Sequence, residues 1–298
     1  VVVETKVAPD GALSVSYNGT MTVQTPDLTD YNMMTAAEKL DTEWRAGLYN
    51  PNNASDMNLY NKYMRYVLGG VDTYWLSKPL RTAIQHRHSA SVAGGTDVFR
   101  YSLDLNLAMQ PGVMKESENQ NKGVNFNMTY LKNKFTMRAN ISLAESDSKN
   151  SPYGSFSQYT RLNQYYIPTD NNGKQKKILD NNVVSGQNRV ITNPLYDATI
   201  GIKDITNSLT IATNLSMEYM ILDNLRITEQ LAYTRGMAGT DKFTPADHTS
   251  FELEDDLTRR GSYFKSSGNM SSWSSNFGIN YNLVLGKHLL SAFGNWTV

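Results

Sequence analysis

Cysteine is absent from the 298 residues, which excludes a disulfide scaffold, a thiolate zinc centre and a cysteine nucleophile. A charge of one sign is absent as well: 28 Lys+Arg balance 28 Asp+Glu, with no long run of either. Nucleic acid, whose phosphates require a basic surface, is thereby excluded as a partner. No segment approaches the ~20 consecutive apolar residues of a membrane-crossing helix. The first residues hold neither a charged stretch nor an apolar core of the kind that marks a signal peptide. Neither a Gly-x-Ser-x-Gly elbow nor a phosphate-cradling glycine loop occurs, so no enzyme and no cofactor are expected. What is present is a polar chain of mean hydropathy −0.48, with 18 Tyr to 9 Phe. Averaged in this way it reads as a soluble β protein.

The order of the residues says more than the average. Leu13, Val15, Tyr17, Gly19, Met21 and Val23 alternate with Ser and Thr or Asn. Phe99, Tyr101, Leu103, Leu105, Leu107 and Met109 alternate with Arg100, Ser102, Asp104, Asn106 and Ala108, and the same period runs through Val124 to Tyr130 and Phe135 to Leu143. The pattern recurs over 209–219, 225–233 and 273–283, and more weakly over 86–93 and 288–298. A period of two means one apolar face and one polar face on a strand. This predicts about nine strands, mostly near the ~10 residues that a tilted membrane strand needs.

The connections alternate too. Short ones at 94–97, 131–133, 222–224 and 286–287 carry turn-forming residues. Long ones fall at 25–85, 110–122, 145–207 and 235–269. An antiparallel outer-membrane barrel has this asymmetry, with short periplasmic turns and long external loops. Phe99, Tyr101, Tyr130, Phe135, Tyr219 and Tyr281 gather beside the short turns, as an interfacial aromatic girdle would. The expected fold is therefore all-β, a partial antiparallel transmembrane barrel. A soluble all-β carbohydrate-binding module or adhesin is the alternative; it explains the alternation but not the one-sided loops. Glu229 counts against the barrel, since it shares a face with Leu225, Ile227 and Leu231. A bulge, or a position above the membrane, would remove that objection.

One helix is expected in the first long loop. Thr35 to Glu38 reads as a capping box, followed by a stripe of Ala36, Ala37, Leu40, Trp44 and Leu48 that Asn50-Pro51 ends. Asp170 to Gly173 has the look of a calcium loop, but Asn181 stands where the closing Glu should be. His86 and His88 share a strand face without an evident third ligand, so no metal site is expected. The acidic group Glu252, Glu254, Asp255 and Asp256 is read as solvated loop charge.

Val1 to Lys6, Leu13 to Gln24, Met33 to Glu38, Ser89 to Thr96, Tyr101 to Leu103 and Gln110 to Val113 together resemble the SusC/RagA-like TonB-dependent outer-membrane transporters of Bacteroidetes-type bacteria. The motifs are specific over 1–143 and generic beyond. Ala93 replaces the usual Ser before Gly94-Gly95, and 7–11 lack the usual Lys-Lys-Gly. The resemblance implies that 1–6 are the last strand of a plug domain and 7–298 the N-terminal part of a barrel of about 22 strands. Both ends fall inside strand-like runs, so the chain is expected to be a piece of a longer protein in the cell outer membrane. It further implies import of large nutrients, foremost oligosaccharides or other glycans, with a SusD-like surface lipoprotein as cap and a TonB-ExbB-ExbD complex as energy source. Outer-membrane lipid would surround the wall. On that reading Arg100, Asp104, Lys134 and Arg138 face the lumen, and no residue is catalytic. Tyr153, Phe156, Tyr159, Tyr165 and Tyr166 crowd one late loop. They either stack on sugar rings or pack the loop against its neighbours.

Overall fold

The computed structural model describes residues 13–184 and 187–298. The reading of 1–6 as a plug strand lies outside them. Nine strands form one antiparallel sheet: β1 (Ser14–Gln24), β2 (Ala83–Gly95), β3 (Phe99–Pro111), β4 (Glu118–Lys132), β5 (Phe135–Lys149), then β8 (Lys203–Leu222), β9 (Leu225–Thr244), β10 (Ser262–Leu285) and β11 (His288–Thr297). Between β5 and β8 a separate hairpin, β6 (Ile178–Val184) with β7 (Gln187–Thr192), stands in the loop. Within the large sheet each strand bonds the next strand of that sheet along the chain, β5 pairing with β8 across the β6–β7 insertion. No described helix is long and apolar enough to cross a membrane; if anything crosses, it is strands.

The tight turns all lie at one end. They need residues that tolerate a left-handed backbone: Asn133 (φ 54°) between β4 and β5, and Gly286 (φ 62°) between β10 and β11. Of the Gly-Gly pair at the β2–β3 turn, only Gly95 has positive φ, at 137°. A Cβ there would meet the Phe99 carbonyl oxygen at 2.1 Å, so no other residue fits. Gly94 lies in a closer fit than most residues tolerate, because a Cβ there would sit 3.3 Å from the Tyr101 hydroxyl, which would have to shift slightly.

At the other end the strands run further than alternation suggested. The connection expected over 110–122 shrinks to 112–117, because Gln110 and Pro111 still pair with Asn119 and Glu118. β8 and β9 have 20 residues each and β10 has 24. A bilayer takes only ~9–11 tilted residues, so about half of each long strand stands clear of it. There both faces meet water, and the alternation that marks a lipid face has no cause to persist.

Register places Phe99, Tyr130, Met137, Met217, Glu229 and Phe277 in one row across the apolar face. No bulge relieves Glu229; the irregularity on this pair of strands is at Met220/Leu222. Instead Glu229 is the fifth residue of β9, close to the turn end, and accepts a 2.7 Å hydrogen bond from Ser275 Oγ. A carboxylate near an interface costs far less than one at the bilayer centre.

The compact core is in the long loops, not the sheet. Only Ala83 and Ala108 are buried apolar side chains of the nine-stranded sheet. α1 (Ala36–Arg45) starts at the expected capping box: Thr35 Oγ1 accepts from the Glu38 N–H, and Glu38 accepts from the Thr35 N–H at 2.8 Å. It ends earlier than foreseen, and a second helix, α2 (Ala54–Leu68), follows, with Asn53 Oδ1 capping the N–H groups of Ser55 and Asp56. Leu40, Tyr49, Leu59, Tyr63, Trp75 and Leu76 from this first loop pack on Tyr159, Leu162, Tyr165, Tyr166 and Leu195 from the loop after β5. Two loops distant in sequence thus form one cap.

Candidate functional site: the inner wall and the loop cap

Strand parity sets the wall's chemistry. The faces of Leu103, Phe126, Ile141, Tyr233 and Trp273 are aligned in one row, and the next row on the opposite face is Ser102, Asn127, Asn140, Asn214, Ala232 and Ser274. The polar face lines a hollow of about 690 Å³ that reaches from β3 to β11, so it is the concave side of a curved sheet. Three asparagines relay hydrogen bonds across four strands. Asn214 Nδ2 donates to Asn140 Oδ1 (3.5 Å), Asn140 to Asn127 (2.8 Å), and Asn127 to Ser102 Oγ (3.2 Å). Such a ladder lets neutral amides satisfy one another along a surface that is otherwise wet.

Arg100 and Arg138 line this hollow, one row nearer the turns. Asp104 lies on the same polar face, where it accepts a 2.6 Å bond from Ser91 Oγ. Lys134 is placed differently. It sits in the β4–β5 turn, 3.6 Å from Asp223 and 3.5 Å from the Ile221 carbonyl. It ties two turns together rather than lying along the wall, because the strand has ended before its side chain can project inward.

Of the five late-loop rings, Tyr159 (0% exposed), Tyr165 (2%) and Tyr166 (8%) are core residues of the cap. For these three the structure has the packing arrangement. Tyr153 and Phe156 are partly covered at its margin: Lys115 Nζ stands 5.7 Å from the Tyr153 ring centre, and Phe156 meets Tyr31 edge-on at 5.6 Å.

Two buried carboxylates flank the tyrosines, and sequence reading found neither. Glu43 accepts from the hydroxyls of Tyr49 (3.0 Å) and Tyr165 (2.9 Å) and from Asn163 Nδ2 (3.3 Å), with Lys39 Nζ at 3.6 Å. The signal was available: Ala36, Leu40 and Glu43 fall at i, i+4 and i+7, and all three are the buried residues of α1. Asp180 is bound by Lys62 Nζ at 2.5 Å and by the Tyr63 hydroxyl. Burial opposes its charge, but the hydrogen bonds from Lys62, Tyr63 and Asn182 outweigh burial and hold its pKa below the usual Asp value.

Burial, with neighbouring charge and carboxylate hydrogen bonds behind it, pushes the phenols of Tyr63 and Tyr165 far above their ordinary pKa. The cap therefore holds them neutral, while an unfolded loop would ionise them near pH ~10. Their contribution is complete below that pH and falls as pH rises through it, by about 1.4 kcal/mol per pH unit for each tyrosine. In detergent-solubilised full-length protein, tyrosinate absorbance should stay flat for these rings until the cap opens, and then rise together with cleavage of the loops by added protease. Smooth titration near pH ~10 with the loops still protected would contradict the assignment.

The remaining sequence candidates resolve into local structure. Asp170 Oδ1 accepts from the N–H groups of Asn172 and Lys174, an Asx-type turn. His86 Nδ1 and His88 Nε2 lie 3.1 Å apart, and the Tyr17 hydroxyl is 2.6 Å from His88 Nδ1. No group of three potential ligands among the described residues could hold a metal. Glu252 pairs with Lys177 at 2.9 Å, and Asp256 caps Thr258.

No protein-family model and no curated protein sequence matches the chain. Solved structures do. The RagAB peptide transporter superposes with a TM-score of 0.72 at 19% identity, over 98% of this chain and 35% of that one. The RagAB peptide importer in its open-open state gives 0.71 at 18% identity, over 98% and 35%. Its closed-closed state gives 0.69 at 19%, over 97% and 35%. The chain thus spans about a third of the length of the chains it matches. Likeness at this identity speaks to fold, and it agrees with the concave polar wall, the apolar outer face and the one-sided loops: the chain has the fold of part of the barrel of a SusC/RagA-like TonB-dependent receptor.

Proposed function

We propose that this chain forms part of the wall and external loops of an outer-membrane transporter that imports large nutrients with TonB-derived energy. The observation that carries this reading is the sheet's two-facedness: an amide- and hydroxyl-lined concave side against an apolar convex side. Among the described residues, β1 and β11 each have one neighbour only. A bilayer cannot satisfy such open edges, so further strands must close the ring in the working protein. A SusD-like lipoprotein would cap the loop end, and TonB-ExbB-ExbD would act from the turn end. The protein is read as a transporter, not an enzyme.

Oligosaccharides are the first cargo class, on the family resemblance. Peptides are the second, because the solved chains of the same fold are described as peptide importers. Nitroxide labels at Leu103 and Leu105 of reconstituted full-length protein should be accessible to oxygen in the lipid, and labels at Ser102 and Asp104 to an aqueous nickel chelate. The reverse pattern would sink the wall assignment. Transport itself is tested by uptake: cells lacking the intact protein, or lacking TonB, should fail to take up its large cargo while small sugars and amino acids still enter.

A further inference from the structure

The cap encloses a cleft of about 670 Å³ between the first loop, the loop after β5 and the β6–β7 hairpin. That volume is within the range of small-ligand sites. Five charged side chains line it: Lys39, Arg161 and Arg189 against Glu43 and Asp197. The formal balance is close to even, but the hydrogen-bonding balance is not. Glu43 is engaged by two tyrosine hydroxyls, an amide and Lys39. Asp197 accepts from the Thr249 N–H (2.9 Å) and Oγ1 (2.5 Å), and His248 Nε2 stands 3.6 Å away. Arg161 and Arg189 make no hydrogen bond or ion pair with any described residue, and both are exposed to the cleft's solvent.

A cleft whose acceptors are engaged and whose guanidinium donors are open favours an anion. The guanidinium fork matches a carboxylate in particular, two parallel N–H donors to two oxygens. From this we infer that the cleft is a binding site for carboxylate-bearing cargo, held by Arg161 and Arg189. The importer reading supplies the setting, since a carboxylate ligand on external loops is cargo only if the protein transports.

The test is calorimetric binding to purified full-length protein in detergent, with two pairs of probes. One pair is a uronic-acid disaccharide against its neutral parent; the other is a pentapeptide with a free against an amidated C-terminus. At least one carboxylate probe should bind tenfold or more tighter than its neutral counterpart, and which pair responds identifies the source of the carboxylate. The double variant R161A/R189A should lose that preference, and R161K/R189K should keep part of it, because lysine retains charge but not the fork. Heat-dependent gel mobility checks that the barrel of each variant has folded. Equal binding within both pairs, or a preference that survives R161A/R189A, overturns the site. Uptake by cells is scored separately: binding without uptake refutes the importer reading and leaves the site standing.

Discussion

Replacing Ile141 with arginine is expected to destabilise the full-length barrel by about 2–4 kcal/mol. Ile141 is the seventh residue of β5 (Phe135–Lys149), near the middle of the ~10 residues that cross a bilayer. Its side chain is 44% exposed and stands between Phe126 and Thr213 on the apolar face. Arginine there would place a guanidinium in hydrocarbon, with only partial relief from snorkelling. Ser142, the next residue, pairs with Asn125 and Ala212 on the polar side, so S142R should cost under about 1 kcal/mol. Urea unfolding in lipid vesicles, followed by tryptophan fluorescence, measures both. The contrast between adjacent residues is the diagnostic; equal costs at the two positions would mean that the faces do not meet different solvents.

Trp75→Ala should cost about 3–5 kcal/mol, and the loss should fall on the cap alone. The indole is 1% exposed, and its Nε1–H donates to the Asn163 carbonyl at 2.9 Å. Next to it the Thr73 N–H donates to the Gln164 carbonyl at 2.7 Å, and Thr73 Oγ1 donates to the Tyr166 carbonyl at 2.9 Å. Truncation opens a large void at the seam between the two loops and leaves the Asn163 carbonyl without its donor. Among the described residues, no strand of the wall contributes a side chain to this buried cluster. Limited proteolysis should therefore cut the loops of W75A faster, while its heat-dependent gel mobility stays that of the parent. If the barrel unfolds with the cap, or the loops remain as resistant as before, the cap is not the independent unit described here.

The two halves of the molecule were legible to different degrees, for physical reasons. In Phe99–Met109 and Val124–Tyr130 a lipid face and a lumen face impose period two, and local residues reveal it. Above the membrane that constraint lapses, so the outer parts of β9 and β10, where Thr240 pairs with Ser266 and Gly239 with Ser267, read as loop. α2 was missed although Met57, Tyr60, Met64 and Val67 keep helical spacing behind the Asn53 cap, because tyrosines and methionines blur the apolar stripe. The burial of Tyr159 and Tyr165 could not be read locally at all. For Tyr165 the neighbours are Tyr63 of α2 and Glu43, more than a hundred residues earlier. Glu229 was correctly located on the apolar face, but its hydrogen bond to Ser275 depends on a register that no single strand encodes.

The cap's construction has a consequence for the order of assembly. Glu43 bonds Tyr165 across a separation of 122 residues, and Lys62 bonds Asp180 across 118. Each sheet pair, by contrast, joins strands adjacent in the meander. Closing a long loop costs entropy before its contacts return any. The meander strands β2 to β5 lie between the two halves of the cap, and once they are zipped together they carry those halves to one end of the wall and shorten the effective loop. The strands should accordingly align first and the tyrosine-lined cleft should be the last feature to form, so that binding competence reports a completed wall.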